Sequence, residues 1–310
     1  MELPRGFYVR IWFTSVMSAS IGILLSLFGA VFKAGKEITV KSGAIVSNEY
    51  TTGWAYRFFS VFVFAAVLFV WQSEIIITDM SVFAGSLIVA SVLFTITTLL
   101  TTRALKISDI SIVGPVLALI PVVTSVPAWI LLGQEPSLGG WLGLILVSIG
   151  VYVLQIHSVS EGLLEPIKLI AYDKGAQYAV LALVFISVIP SIDKIGIDAS
   201  TPILWVFSTH LTMSVWLFVI MLWYDSDWTH TVSDNLRVFL AIAGFNSVLW
   251  VAQAYAYTYL PVAYVQGIKR ASIILLVLAG YLWFDESHLR NRIIGALITF
   301  LGVLCIIFFG

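Results

Sequence analysis

Residues 267–286 read GIKRASIILLVLAGYLWFDE and lie within an apolar run that begins at Pro261 and continues to Phe284. The run is long enough to cross a bilayer, since a membrane-spanning helix needs about 20 predominantly apolar residues. Lys269 and Arg270 fall near its middle. A charge at that depth costs about 2.5–3.5 kcal/mol on insertion scales and indicates a functional site by default. This stretch therefore predicts a transmembrane helix that carries a functional cationic pair.

The rest of the chain is similarly apolar. Of its 310 residues, 60% are hydrophobic and 11% are charged, whereas soluble proteins have about 25% charged residues. No soluble core could bury this much apolar surface, so the bilayer must be the solvent. The net charge of −1 gives no reason to expect a nucleic-acid partner, and the single Cys305 cannot form an internal disulfide.

Ten apolar runs of about 18–25 residues predict ten spanning helices, so the fold class is an all-α polytopic integral membrane protein. The first helix follows an N-terminus without a cleavage-site pattern, and we expect it to be retained. The longest connections are predicted at Lys33–Gly53 and His157–Gly175. The predicted helices are Ile11–Phe32, Trp54–Trp71, Met80–Thr102, Ile110–Leu132, Gly139–Ile156, Ala176–Ile192, Pro202–Trp223, Leu236–Tyr259, Pro261–Phe284 and Arg292–Phe309.

Short motifs of the first half recur in the second half, which indicates an internal duplication. Most recur after 151 or 152 residues, and one recurs after 161, which places a ten-residue insertion in the first connection. We therefore predict two five-helix repeats, residues 1–160 and 161–310. Because five is odd, the second repeat is inverted in the membrane, an architecture typical of transporters with a midplane substrate site. The recurring features are Glu135 with Glu286, Gly143 and Gly150 with Gly295 and Gly302, Trp54 with Trp205, and Ser26–Gly35 with Ser187–Gly196.

Two long stretches carry a family resemblance: RALKISDISIVGPVLALIPVVTSVPAWILLGQEPSLGGWLGLILVSIGVYVL (residues 103–154) and AYTYLPVAYVQGIKRASIILLVLAGYLWFDESHLRNRIIGALITFLGVLCII (residues 256–307). WAYRF at residues 54–58 and IDKIGI at residues 192–197 fit the same pattern. The chain resembles the EamA-like branch of the drug/metabolite transporter superfamily over nearly its whole length, except the Lys33–Gly53 insertion. The resemblance implies a ten-helix carrier that exports or exchanges small metabolites such as amino acids, phosphorylated sugars or nucleotide sugars.

Lys269 and Arg270 are the first candidates for a substrate site. They could anchor a carboxylate or phosphate, Arg through paired hydrogen bonds and Lys as a point charge. The resemblance implies the same role, because a Lys-Arg pair at this place binds the anionic group in the phosphate-exchanging branch of the superfamily. Adjacent helix positions point about 100° apart, so at most one of the two need face a central cavity. The alternative is an ion pair with a buried acid, for which Asp109 and Asp193 are the best candidates.

The eighth predicted helix carries a polar and aromatic face. Asn246, Trp250, Gln253 and Tyr257 recur at i, i+4, i+7 and i+11 and therefore lie on one side of the helix. In lipid, amide side chains seek partners inside the bundle. The face either lines a substrate cavity or bonds a neighbouring helix.

Arg57 and His210 are two further candidates. Arg57 lies near the start of the second predicted helix, where the resembling family commonly has Arg. It either contacts substrate or extends to the lipid headgroups. His210 lies in the middle of the seventh predicted helix and could relay protons near physiological pH. The alternative is a hydrogen bond between helices.

Several charged residues are better explained by structure. Arg103, Lys106 and Asp109 crowd the junction of the third and fourth predicted helices, where neutralisation of charge at the membrane interface is the favoured interpretation. Glu135 and Glu286 follow the fourth and ninth predicted helices. We expect them in short turns near the N-termini of the next helices, where an acid is favourable for the helix dipole.

The fourth predicted helix holds Pro115, Pro121 and Pro127. Proline removes a backbone donor and kinks a helix, so this helix could bend during transport, with static packing as the alternative. The four recurring glycines, on the fifth and tenth helices, predict close helix packing.

The sequence has no hydrolase, phosphate-loop, dinucleotide or clustered Cys/His metal motif, so we expect neither an enzyme nor a cofactor. The leading hypothesis is a secondary transporter of small organic metabolites in the cell membrane, an exporter or exchanger that works by alternating access. The alternatives are a membrane-embedded enzyme acting on lipid or isoprenoid head groups, and a structural or sensory subunit. Expected partners are a small-molecule substrate and the lipid bilayer, with a homodimer as a candidate assembly.

Two signals disagree on the orientation of the chain. Outside the central pair, eleven Lys and Arg residues belong to the side opposite the termini and three to the side of the termini. The positive-inside rule then puts both termini outside. The resembling superfamily usually has both termini in the cytoplasm, so the orientation stays open.

Overall fold

The computed structural model describes residues 5–42, 49–70, 75–155, 172–283 and 289–310. Within these ranges the chain forms thirteen helices and no strand. They are α1 Arg5–Ser42, α2 Glu49–Val70, α3 Met80–Ile107, α4 Ile110–Leu117, α5 Ile120–Leu132, α6 Leu138–Gln155, α7 Lys174–Asp198, α8 Pro202–Tyr224, α9 Trp228–Asp234, α10 Leu236–Tyr259, α11 Val262–Lys269, α12 Ser272–Trp283 and α13 Leu289–Phe309.

The predicted all-α membrane fold is confirmed. Among the described residues, ten helical segments are long and apolar enough to cross a membrane. The fourth span consists of α4 and α5 and the ninth begins with α11, while the short α9 lies between spans. With five spans in each half, the second half enters the membrane in the opposite orientation. The boundary between residues 160 and 161 lies outside the described residues and stays a prediction.

The first predicted helix ended too early. We predicted a connection from Lys33 to Gly53, but α1 continues to Ser42 and α2 begins at Glu49. Lys36 Nζ donates a hydrogen bond to Asn246 Oδ1 at 3.0 Å, and Lys33 pairs with Glu37 at 3.6 Å. Both cations have partners, one on the same helix and one on another helix, and the helix continues past them.

The sixth predicted helix also ended too early, at Ile192. In the structure α7 continues through Pro190 to Asp198, which places Asp193 inside the membrane span instead of after it. A transmembrane helix tolerates proline where neighbouring groups satisfy the freed backbone. The predicted connection from His157 lies largely outside the described residues. Its end is visible as the N-cap of α7, where Asp173 accepts hydrogen bonds from Ala176 N at 2.7 Å and Ser108 Oγ at 2.6 Å.

Helix packing follows a pseudo-two-fold symmetry between the halves. Each span of the first half corresponds to the span five places later in the chain. Under this correspondence, the contact between α3 and α7 matches the contact between α10 and α1. The contacts of α4 and α5 with α7 become those of α11 and α12 with α1. The α2–α8 and α6–α13 pairs map onto themselves. This is the arrangement expected of inverted repeats around a central site.

The α6–α13 pair is the close packing that the recurring glycines predict. A methyl group on Gly150 would lie 2.7 Å from the carbonyl oxygen of Gly295, and one on Gly295 would lie 2.7 Å from that of Gly150. Gly143 and Gly302 are related in the same reciprocal way at 2.9 Å. No side chain fits between these backbones, so the prediction is confirmed.

Two spans are broken at symmetric positions. The fourth span is interrupted at Ala118–Leu119 and the ninth at Arg270–Ala271, which are separated by the 152 residues that also separate the recurring glycines. At both breaks the backbone forms tighter i→i−3 hydrogen bonds, from Leu119 N at 3.3 Å and Ala271 N at 2.9 Å. Lys269 therefore lies at the end of a half-helix, close to the membrane midplane.

Two cations near the membrane interface lie over aromatic rings, and the predicted neutralisation of charge there stays a prediction. Arg103 lies over the ring of Tyr178, 5.8 Å from its centre, and Lys106 lies 5.2 Å over the ring of Tyr50. Asp109 is the N-cap residue of α4. An exposed Glu135 lies in the turn between α5 and α6, whereas Glu286 lies outside the described residues.

Candidate functional site

A cavity of about 370 Å³ lies between α2, α3, α7, α10 and α11. Four predicted site residues line it: Lys269, Arg57, Trp250 and Gln253. The other residues on its wall are Phe94, Thr97, Thr98, Thr101, Thr102, Ile186, Ile189, Pro190, Asp193 and Gln266.

The cavity extends from the middle of the membrane towards the face opposite the termini. Arg57 lies near the start of α2 and Thr102 near the end of α3, and both of these helix ends are on that face. Gln253, Gln266 and Lys269 belong to the opposite, deep end. A ligand entering from this face would therefore meet Arg57 first and Lys269 last.

Lys269 belongs to a hydrogen-bonded group at the deep end. Its Nζ donates to Gln253 Oε1 at 2.6 Å. The Gln253 amide donates to the Tyr257 hydroxyl at 2.8 Å, and the Gln266 amide donates to the same hydroxyl at 2.6 Å. Among the described residues Lys269 forms no ion pair within 4.0 Å. The amino group of Lys269 is thus held in position by an amide and not by a carboxylate.

Arg270 is not among the residues that line the cavity. Its Nη2 donates to the carbonyl oxygen of Leu117 at 3.5 Å, across the break between α4 and α5. In a continuous helix the donor to Leu117 would be residue 121, but Pro121 has no backbone N–H. Arg270 replaces that missing donor, so one member of the pair faces the cavity and the other supports the broken helix. A role of Arg270 in substrate binding stays a prediction.

The predicted face of α10 divides between the two roles left open for it. Trp250 and Gln253 line the cavity, whereas Asn246 and Tyr257 are fully buried and bond neighbouring groups. All four lie on the side of the helix that faces the bundle. The face therefore both forms part of the wall and holds α10 in place.

His210 lies behind the cavity wall. Its Nδ1 donates to the Val206 carbonyl at 2.9 Å, and its Nε2 is 3.3 Å from the amide nitrogen of Asn246. The imidazole ring meets the Trp250 ring edge-on at 5.3 Å. The contact between His210 and Asn246 is the hydrogen bond between helices that the structural interpretation predicted. Proton coupling through His210 stays a prediction.

Arg57 is held by its own helix near the mouth of the cavity. Its Nη1 donates to the Gly53 carbonyl at 2.7 Å, and its guanidinium lies 4.8 Å from the centre of the Tyr56 ring. The side chain lines the cavity. Its role in substrate binding or gating stays a prediction.

Asp193 and a row of threonines are wall residues that the sequence interpretation did not assign to a substrate site. Asp193 is 3% exposed, and its Oδ1 accepts a hydrogen bond from Trp205 Nε1 at 3.0 Å. Its Oδ2 is buried and has no hydrogen-bond partner among the described residues. A visible signal was present, because Ile186, Ile189, Pro190 and Asp193 are spaced i, i+3, i+4 and i+7 as one helix face. The threonines of α3 were equally visible in TITTLLTT, residues 95–102.

Among the described residues there is no group of three or more His, Cys, Asp or Glu that could hold a metal ion.

The comparisons with known proteins agree with this architecture. A search of curated proteins finds no match. One crystal structure of a protein with 14% sequence identity superimposes with a TM-score of 0.71, over 94% of this chain and 96% of that chain, which shows a shared fold. The sequence pattern of the EamA-like transporter family matches residues 20–156 and again 173–308. The chain is thus a multi-pass membrane protein that belongs to the EamA-like transporter family.

Proposed function

We propose that this protein is a secondary transporter of small organic metabolites that carry a carboxylate or phosphate group. In this proposal it is an exporter or exchanger in the cell membrane and works by alternating access. The observation that carries the proposal is Lys269, an ammonium group at the deep end of a membrane cavity whose hydrogen-bond partner is an amide. The membership of a transporter family supports the same conclusion.

The charge of Lys269 favours an anionic ligand. An ionisable side chain inside a membrane protein needs a counter-charge or a water-filled cavity to be tolerated. Gln253 supplies a dipole but no charge. A carboxylate or phosphate oxygen would form a charge-assisted hydrogen bond with Lys269, which is stronger than a bond between neutral groups.

The size and walls of the cavity favour a small organic molecule. Its volume of about 370 Å³ falls at the lower end of the range of about 300–1,000 Å³ for small-molecule sites. Phe94 and Trp250 meet edge-on at 5.5 Å and provide an apolar surface. The hydroxyls of Thr97 and Thr98 both donate to the Phe94 carbonyl, so their oxygens remain acceptors for a ligand.

Hydrogen bonds join the two halves at the face that carries the termini, and alternating access would require them to break. Thr78 N donates to the Ala199 carbonyl at 3.0 Å. Val262 N donates to Gln134 Oε1 at 2.9 Å, and the Tyr264 hydroxyl accepts a hydrogen bond from the Ser137 amide at 3.0 Å. Because the halves are inverted copies, exchanging their conformations would close the open face and open this one. The two broken spans would supply the hinges.

The charge count puts the termini outside, and the open face is then cytoplasmic, as loading for export requires. A reporter fused to the C-terminus tests this orientation. A cytoplasmic signal would reverse the direction in which the present cavity opens.

Thermal unfolding of the purified protein against a panel of carboxylates, phosphate monoesters and zwitterions tests the proposal. A bound ligand stabilises the fold by RT ln(1 + [L]/Kd), so weak substrates become visible at high concentration. We expect stabilisation by one or more anionic compounds, with the effect lost in Lys269→Ala. Lys194→Ala is the matched control, because Lys194 forms a pair with Asp198 at 2.5 Å near the opposite face. Equal stabilisation of the Lys269→Ala variant would overturn the anchor role.

A further inference from the structure

We propose that Asp193 is the cation-binding group of the central cavity. The inference rests on the proposed transport function and adds a second charge requirement to the same site. The ligand class is a compact monovalent cation, either the ammonium group of a substrate or a free inorganic ion. Both would use the same carboxylate oxygen, Asp193 Oδ2.

One oxygen of this carboxylate, on the wall of the cavity, lacks a partner among the described residues. Asp193 is 3% exposed and lies on the cavity wall. Trp205 Nε1 donates to Oδ1 at 3.0 Å and fixes the orientation of the side chain. Oδ2 is buried, with no hydrogen-bond partner among the described residues. Buried polar atoms in proteins almost always have a partner, so an exception needs an explanation.

Lys269 does not provide that partner, although both residues line the same cavity. Its Nζ is bonded to Gln253 Oε1 at 2.6 Å, and the described residues place no ion pair at Lys269 within 4.0 Å. The wall of the cavity therefore carries a lysine and an aspartate that are not paired with each other. A molecule or pair of ions with charges of both signs would satisfy both.

Proline in α7 removes the usual helical donor of one backbone carbonyl in a residue on the same wall. Pro190 has no backbone N–H, so it cannot donate to the carbonyl of Ile186 four residues earlier. Ile186, Pro190 and Asp193 all line the cavity. Helix carbonyls point to the C-terminal end of the helix, here from Ile186 towards Asp193. A carboxylate and a carbonyl released from its helix are the oxygen ligands that bind cations in transporters with interrupted helices.

Thermal unfolding with three chloride salts at equal ionic strength tests the proposal. Sodium supplies an inorganic ion and methylammonium supplies an ammonium group with N–H donors, whereas choline is bulky and has no such donors. The test variant is Asp193→Asn, which keeps an oxygen acceptor for Trp205 Nε1 and so preserves the fold. The control is Asp198→Asn on the same helix, where the carboxylate is exposed and paired with Lys194.

We expect sodium or methylammonium to raise the unfolding midpoint of the wild type above its value in choline. We also expect Asp193→Asn to abolish the difference and Asp198→Asn to keep it. A response to sodium assigns the site to an inorganic ion, and a response to methylammonium assigns it to a substrate ammonium. No difference from choline in the wild type, or an equal response in Asp193→Asn, would overturn the inference. If the wild type gave no cation response but kept its Lys269-dependent anion binding, this inference alone would fail and the proposed function would stand.

Discussion

The closeness of α6 and α13 makes Gly302→Ala a direct test of the fold. A Cβ at position 302 would lie 2.6 Å from the backbone nitrogen of Val147 and 2.9 Å from the carbonyl oxygen of Gly143. Ordinary contacts begin at 3.4 Å, so the two helices would have to separate by about 0.8 Å. A gap of that size forfeits about a quarter to a half of the dispersion energy of each facing atom pair. Overpacking of this kind typically costs about 1–3 kcal/mol.

The assay is equilibrium unfolding in mixed detergent micelles, which reports the free energy of unfolding. Gly85→Ala in α3 is the control, because a Cβ there meets nothing within 4 Å. Alanine is favoured over glycine inside a helix by about 1 kcal/mol, so this variant should be as stable as the wild type or more stable. If Gly302→Ala and Gly85→Ala gave the same free energy of unfolding, the close packing of α6 on α13 would be refuted.

Three further predictions follow from single contacts. The Ser108 hydroxyl holds the pKa of Asp173 below its usual value, so this carboxylate stabilises the fold above about pH 4 and loses the effect as the pH falls through its folded-state pKa. Asp173→Asn should therefore weaken the acid sensitivity of thermal unfolding, and an unchanged pH profile would contradict this. Arg270→Met should lower the free energy of unfolding by about 1–3 kcal/mol, because the Leu117 carbonyl loses its donor, while anion-induced stabilisation persists. Loss of that stabilisation would instead assign Arg270 to the substrate. His210→Ala should lower stability by a similar amount, about 1–3 kcal/mol, and leave the pH profile of ligand binding unchanged, whereas a shifted profile would indicate proton coupling.

The spans and the repeat could be predicted because they depend on local composition and on spacing along the chain. The helix Leu236–Tyr259 has the same bounds in the sequence prediction and in the structure. Gly143 and Gly150 recur as Gly295 and Gly302, and only residues without a side chain allow the backbones of two membrane helices to approach this closely. The glycines therefore predicted close helix packing, and the structure shows that the two helices pack on each other.

The wall of the cavity depends on partners that are remote in sequence. The sequence around residues 190–194 resembles a helix end, because it combines a proline with two charged residues. In the structure α7 continues through it. Trp205 donates a hydrogen bond to Asp193, and Lys194 donates one to Asp198. The sequence could not determine which of Lys269 and Arg270 faces the cavity. That choice depends on contacts outside their own helix. Arg270 donates to the backbone carbonyl of Leu117, which is 153 residues away. This carbonyl lacks its helical donor because residue 121 is a proline. Charged residues in a membrane helix are satisfied by such distant groups, and one sequence does not reveal them.

Counterflow in proteoliposomes tests the central claim most directly. Vesicles containing the protein are loaded with an anionic compound that stabilises it, and uptake of the same labelled compound is measured from outside. We predict that vesicles with the wild type or Lys194→Ala accumulate label transiently, while vesicles with Lys269→Ala behave like vesicles without protein. Accumulation by Lys269→Ala equal to that of the wild type would contradict the account, because the ammonium group in the cavity would then play no part in carrying the substrate.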